Sequence, residues 1–319
     1  MARLSFILSY RRPRSTFNRV LKERRRSISA RKPEHKPARL LRYDELPEWH
    51  KDNPYILSGY RMEGQSWTCI KSIFAMHNET VNIWTHLLPA GGFALSQILI
   101  QLLIDHYYPE ATRLDRFVIA FNVAAGIVTM TLSSLYHTLM CHSEHVSNLW
   151  LRIDYIGILT LILGSFFSGI HVGFRCEPTL RNIHWTSICV LSVATSILVI
   201  DPKLQGLKYR SLRTSAFVLT ALSGFAPIIH GLLMYGWSQM WVRSGMPYYF
   251  LEGIVYGFGA FLFATRIPES IWPGKFDIWL GSHQLFHVLV VIASLVHMIG
   301  VWSAYEWHYE NQRSCPVPV

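Results

Sequence analysis

The stretch Ser282-His283-Gln284-Leu285-Phe286-His287-Val288-Leu289-Val290-Val291-Ile292-Ala293 decides what kind of protein this is. Its second half opens an apolar run that continues to about residue 303, long enough to cross a bilayer as a helix. Its first half sets two histidines four apart, so both imidazoles share one helix face. Ionisable groups inside a span are costly and mark functional positions. A histidine pair at this spacing also has the geometry that grips a metal.

Similar apolar runs recur along the chain, near 82–104, 117–138, 150–173, 184–200, 213–234, 248–265 and 283–303. Composition agrees: 50% of residues are hydrophobic and 16% charged, against about 25% charged in soluble domains. The expected fold is an all-α membrane protein, a seven-transmembrane helix bundle, because a helix satisfies its own backbone in lipid. Four segments are expected. Residues 1–42 form a disordered basic cytosolic tail, with Ser27 beside Arg24-Arg25-Arg26 as a phosphorylation candidate or merely a solvated run. Residues 43–81 are a cytosolic juxtamembrane segment in which Trp67 to Met76 forms a short amphipathic surface helix. The transmembrane domain occupies 82–303, and an extracytosolic tail occupies 304–319.

Charge sets the expected orientation. Nine of the ten net positive charges lie before residue 81. Next to membrane spans this basicity reads as positive-inside retention and attraction to anionic lipid, so no nucleic acid is expected as a partner. Lys203, Lys208, Arg210 and Arg213 follow the fourth run, and Arg266 and Lys275 follow the sixth. With seven spans these segments share one side, which predicts the N-terminus in the cytosol and the C-terminus outside. The five cysteines are odd in number and contain no CxxC, so neither a disulfide framework nor a zinc ribbon is expected. Phe6-Ile7-Leu8 is too short for a signal-peptide core.

That topology brings His137 at the end of span two, Asp154 at the start of span three, and His283 and His287 at the start of span seven to one depth. Three histidines are the ligand set of a catalytic zinc, whose bound water has its pKa lowered toward about 7. Asp154, as a carboxylate not on the metal, suits the role of holding that water and taking its proton. Ser133 stands one turn before His137 and suits the steadying of a ligand or a developing oxyanion. Plainer readings stand beside these. A lone membrane histidine more often hydrogen-bonds between helices, and Asp154 also suits pairing with Arg152 or an interface lysine. His142 and His145 read as solvated loop residues, and His230 and His297 as structural. Zinc transport is not expected, because no chain of carboxylates and histidines crosses the membrane.

Several motifs in order carry a resemblance. They are Ser72-Ile73-Phe74 with His77-Asn78-Glu79-Thr80-Val81-Asn82-Ile83-Trp84-Thr85-His86-Leu87, then His137-Thr138 with Cys141-His142-Ser143-Glu144, then Asp154-Tyr155-Ile156-Gly157-Ile158. Arg266-Ile267-Pro268-Glu269, Pro273-Gly274-Lys275-Phe276-Asp277-Ile278-Trp279 and Ser282–His287 complete the set. Over residues 45–313 the chain resembles the progestin and adipoQ receptor family, which contains the adiponectin receptors and fungal membrane proteins linked to zinc homeostasis. The resemblance implies seven helices with a cytosolic N-terminus and a zinc held by His137, His283 and His287. It implies that Asp154 acts through a zinc-bound water, with Ser133 beside the site. It implies a cavity holding a fatty acid near Arg213 and Tyr155, and ceramidase activity. Three functions remain in view: a zinc hydrolase acting on a ceramide-like membrane lipid, a receptor with a structural zinc and an extracellular protein ligand, and a scaffold or zinc-homeostasis regulator without turnover.

Overall fold

A computed structural model of the chain describes residues 39–311 and Cys315. The basic tail before residue 39, with Ser27, lies outside the described residues. The compact unit begins at Leu40. Its helices are α1 (Ser66–Lys71), α2 (Thr80–Tyr107), α3 (Arg113–Leu139), α4 (Glu144–Gly173), α5 (Pro178–Ile200), α6 (Arg210–Leu222), α7 (Phe225–Arg243), α8 (Met246–Thr265) and α9 (Ser282–Asn311). Among the described residues the only β pairing is an isolated bridge between Leu41 and Tyr60.

Seven helical segments are long and apolar enough to cross a membrane, with α6 and α7 together forming the fifth, Leu207–Arg243. In the most apolar part of α2 only 17% of residues are buried by protein. So apolar a surface is paired with lipid rather than with a protein core. The fifth span is not the single helix expected over 213–234. Ser223 and Gly224 separate its halves, and Gly236 breaks it again with φ 73°. The seventh helix runs past 303 to Asn311, so the expected C-terminal tail begins later.

Local sequence explains the helix ends. Thr112 caps α3 by accepting from Asp115 N, and Asp115 returns the bond, a capping box. Proline at the first turn suits the starts of α5 and α8. Gly245 (φ 71°) precedes α8 where a Cβ would come 2.3 Å from Gly300 O, so only glycine lets α8 begin against α9.

The α3–α4 contact positions the site. A Cβ on Gly164 would lie 2.5 Å from the Ala125 Cβ, so the missing side chain lets the two helices close up. Thr129 Oγ1 then donates to Gly157 O at 2.7 Å. Ala125, Thr129, Ser133 and His137 follow at four-residue spacing on that α3 face.

At the end of the bundle carrying residues 40–79, loops clamp the helix termini. Arg61 is buried and donates to the carbonyls of His137 (2.5 Å) and Thr138 (2.9 Å). Glu269 is buried, accepts from Asn53 Nδ2 (3.1 Å) and caps α9 through Ser282 N (2.7 Å). Asp277 accepts from Leu57 N and Ser58 Oγ. The expected amphipathic segment is a helix over Ser66–Lys71 and a 3-10 turn over Ser72–Phe74 that leave Trp67, Ile70 and Phe74 exposed. At the far end, a disulfide joins Cys176 to Cys315. The absence of a CxxC pattern hid it, because its two cysteines are 139 residues apart.

Candidate metal centre

Three helix ends bring three imidazoles together. His137 comes from the last turn of α3, and His283 and His287 from the first turns of α9. One ring nitrogen from each lies within 4.8 Å of the others. The Nε2 atoms of His137 and His283 are 3.2 Å apart. Two nitrogens on a tetrahedral zinc at about 2.05 Å would stand roughly 3.3 Å apart, so this spacing fits such an ion.

The outward nitrogens are spoken for. His137 Nδ1 meets Glu79 Oε2 at 2.8 Å, and His287 Nδ1 meets Asn82 O at 3.1 Å and Thr85 Oγ1 at 3.3 Å. A carboxylate and a backbone carbonyl can only accept, so both Nδ1 atoms are donors. Their Nε2 atoms therefore face inward as lone pairs, the state a cation needs. Glu79 Oε2 also accepts from Asn82 Nδ2 at 2.6 Å, so the carboxylate behind His137 is itself held in place. The donor set thus fits a divalent transition metal.

The other expected residues fall around this point. Ser133 is buried one turn below His137, and Asp154 on α4 interacts with its side chain and with His137. Both line a cavity of about 1400 Å³ that also touches the three histidines. Tyr155 and Arg213 line it too. The Arg213 guanidinium lies 5.6 Å from the Tyr155 ring and donates to Leu204 O and Gly206 O. His142 and His145 are not in the cluster; His142 meets Ser143 Oγ, and His145 sits in the first turn of α4 rather than in a loop. His230 pairs with His184 at 3.1 Å.

Two further observations bear on the plainer readings. Buried acid–histidine pairs are not confined to one end. Glu252 meets His297 at 2.8 Å within the spans, and Asp115 meets His171 at 2.6 Å at the far end. Asp154 is also not paired with Arg152 in any ion pair among the described residues. Sequence reasoning missed the α2 face. Glu79 and Asn82 hold the backs of two imidazoles, and His86 stacks on His287 at 3.8 Å with an interplanar angle of 3°. Both ring nitrogens of His86 are buried without a partner among the described residues. The available signal was a polar stripe at i, i+3 and i+7 on an apolar span.

Comparison with known proteins places the chain in a family. The haemolysin-III-related family matches residues 74–298. The chain is 39% identical over 269 residues to the ADIPOR-like receptor IZH2 of Saccharomyces cerevisiae, covering 84% of each chain. It is 36% identical over 282 residues to the adiponectin receptor protein of Drosophila melanogaster, covering 88% of this chain and 63% of that one. It is 32% identical over 335 residues to heptahelical transmembrane protein 5 of Arabidopsis thaliana, covering 81% of this chain and 88% of that one. Seven apolar helices and these matches make it a multi-pass integral membrane protein, and the chain belongs to the haemolysin-III-related family that includes the adiponectin receptor-like proteins.

Proposed function

We propose that the three histidines hold zinc and that the site hydrolyses the amide of a ceramide-like lipid to a fatty acid and a sphingoid base. One observation carries the reading: ring nitrogens of His137, His283 and His287 converge on the wall of a cavity lined by Asp154 and Ser133. Zinc bound there would supply Lewis acidity to the amide carbonyl and acidify a water. Asp154 is placed to take a proton from the attacking water and hand it to the departing amine nitrogen as the C–N bond breaks. Ser133 lines the cavity with that carboxylate and would steady it or a developing oxyanion. Apolar walls including Ile158, Leu161, Ile162 and Val290 hold the acyl chain, which would not leave lipid cheaply for water. Arg213 and Tyr155, which line the same cavity, would lie near the bound lipid. By the basic-residue count, this end of the bundle faces the cytosol.

The test is purified protein with zinc and labelled ceramide. Wild type should release labelled fatty acid, and His137→Ala and Asp154→Asn should not. Equal trace rates in all three end the hydrolase reading. A second reading has its own support: the metal ties α3 to α9, whose histidines are backed from α2, and relatives are named receptors. In it the metal is structural and an extracellular protein ligand shifts the helices. Loss of fold on chelation, with no hydrolysis at any zinc level, selects that reading.

A further inference from the structure

A second polar group faces the same cavity far from the histidine cluster. His297 on α9 meets Glu252 Oε2 on α8 at 2.8 Å through Nδ1, and Ser168 Oγ on α4 at 2.9 Å through Nε2. The order serine–histidine–carboxylate is that of an acyl-transfer relay. Ser168 rules that role out here. It is fully buried, with Gly164 O and Ser165 O each 3.0 Å from its hydroxyl, so no acyl carbon can reach it.

Ser168 Oγ and His297 Nε2 share one hydrogen bond, and His297 Nδ1 shares the other with Glu252 Oε2, so the imidazole is fixed from both sides. Glu252 Oε1 takes no hydrogen bond from any described residue, and Glu252 lines the cavity. Tyr249 stands three residues before Glu252, on the same helix face. Its ring stacks on His297 at 5.4 Å, it lines the cavity, and its buried hydroxyl has no partner among the described residues. An unused acceptor and an unused donor thus stand on one helix face of the cavity wall.

We infer that Glu252 and Tyr249, held by His297, form a second polar station that takes a hydroxyl carried on the acyl chain of the bound lipid. A hydroxyl both donates and accepts, which matches Glu252 Oε1 and the Tyr249 hydroxyl. An ammonium would have to shed its hydration inside the spans, at high cost, whereas a hydroxyl carries no charge to desolvate. The distance sets the chain length. His287 and His297 are ten residues apart on one helix, about 15 Å, or roughly a dozen methylenes of extended chain. Between them the wall is apolar at Phe286, Val290 and Leu161, and the Tyr256 and Ser294 hydroxyls close on each other at 3.2 Å. The inference rests on the lipid-binding reading of this cavity and narrows its ligand to long-chain hydroxyacyl lipids.

The test is competition on full-length, zinc-loaded protein in nanodiscs, with displacement of a fluorescent fatty acid by dodecanoic, ω-hydroxydodecanoic and ω-aminododecanoic acids. Concentrations are corrected for partition into lipid. The hydroxy acid should displace the probe at least about tenfold more effectively than dodecanoic acid, because an unmatched buried polar pair is penalised. Glu252→Gln keeps an acceptor and should keep most of that preference, while Glu252→Leu and Tyr249→Phe should lose it. Equal displacement by hydroxy and plain acids in wild type overturns the inference and leaves the lipid cavity standing. Tightest binding by the amino acid overturns the assignment to a hydroxyl. Failure of every acid to displace the probe removes the lipid-binding reading and this one together.

Discussion

Two buried polar clusters at opposite ends of the bundle use histidine in opposite ways. At the far end everything points at one acceptor. Asp115 takes hydrogen bonds from His171 Nε2 (2.6 Å), Tyr309 OH (2.8 Å) and Thr112 Oγ1 (2.7 Å), and Arg175 lies 3.5 Å away. Donors surround a carboxylate, so the cluster closes on itself and ties α3, α4 and α9 together. At the near end the sense is reversed. Protons on His137 and His287 are spent outward on Glu79 and Asn82, and acceptors face one another across a gap. A cluster of donors around an acceptor is complete; a cluster of converging lone pairs asks for a cation.

The contrast breaks most sharply by substitution at each end. His287→Ala should lower zinc affinity by on the order of 10³-fold or more, since it removes one of three protein ligands. Unfolding of the zinc-loaded protein in chelator titration reads this out. If Asp115→Asn lowers metal affinity as much, the two clusters are not different in kind. Instead Asp115→Asn should leave zinc content alone and cost about 3 kcal/mol of stability, the usual penalty for breaking a buried pair from one side. Thermal unfolding in detergent measures it.

Glu79→Gln tests the backing of the ligands. It keeps the shape but weakens the acceptor behind His137, and should reduce metal affinity roughly 10–100-fold. An unchanged affinity would show that Glu79 only caps α2. The smallest effect concerns His77, which is buried with Nδ1 accepting from Glu79 N and Nε2 donating to Ser72 O. Burial lowers its pKa from 6.5 to about 4, with Arg61 adding to the shift. A depressed histidine pKa means the folded state prefers the neutral ring. Its contribution is therefore full above pH 6.5 and is lost as pH falls toward 4. At pH 5 the loss is about 2 kcal/mol. His77→Gln should flatten this acid limb relative to wild type, and parallel stability–pH curves would contradict it.

Much of this was legible in the sequence, for physical reasons. The spans were readable because lipid demands long apolar helices whatever they pack against. The shared depth of His137, His283 and His287 followed from topology alone, since seven alternating spans put those helix ends on one side. What stayed hidden was whatever depends on side-chain register between helices. Glu79 stood in the sequence only as one residue of a motif, yet it holds an imidazole from α3. His297 looked structural until α8 placed Glu252 beside it. The break in the fifth span was also unreadable, because Ser223-Gly224 sits inside an unbroken apolar run. Cys176 and Cys315 gave no pattern, since only the fold of α9 brings them together.

Metal analysis of the purified full-length protein tests the central claim most directly. The account predicts about one zinc per chain in wild type and none in the His137→Ala/His287→Ala double variant, with the Asp115→Asn protein retaining its zinc. A metal-free wild type, or a double variant that keeps its metal, would contradict it.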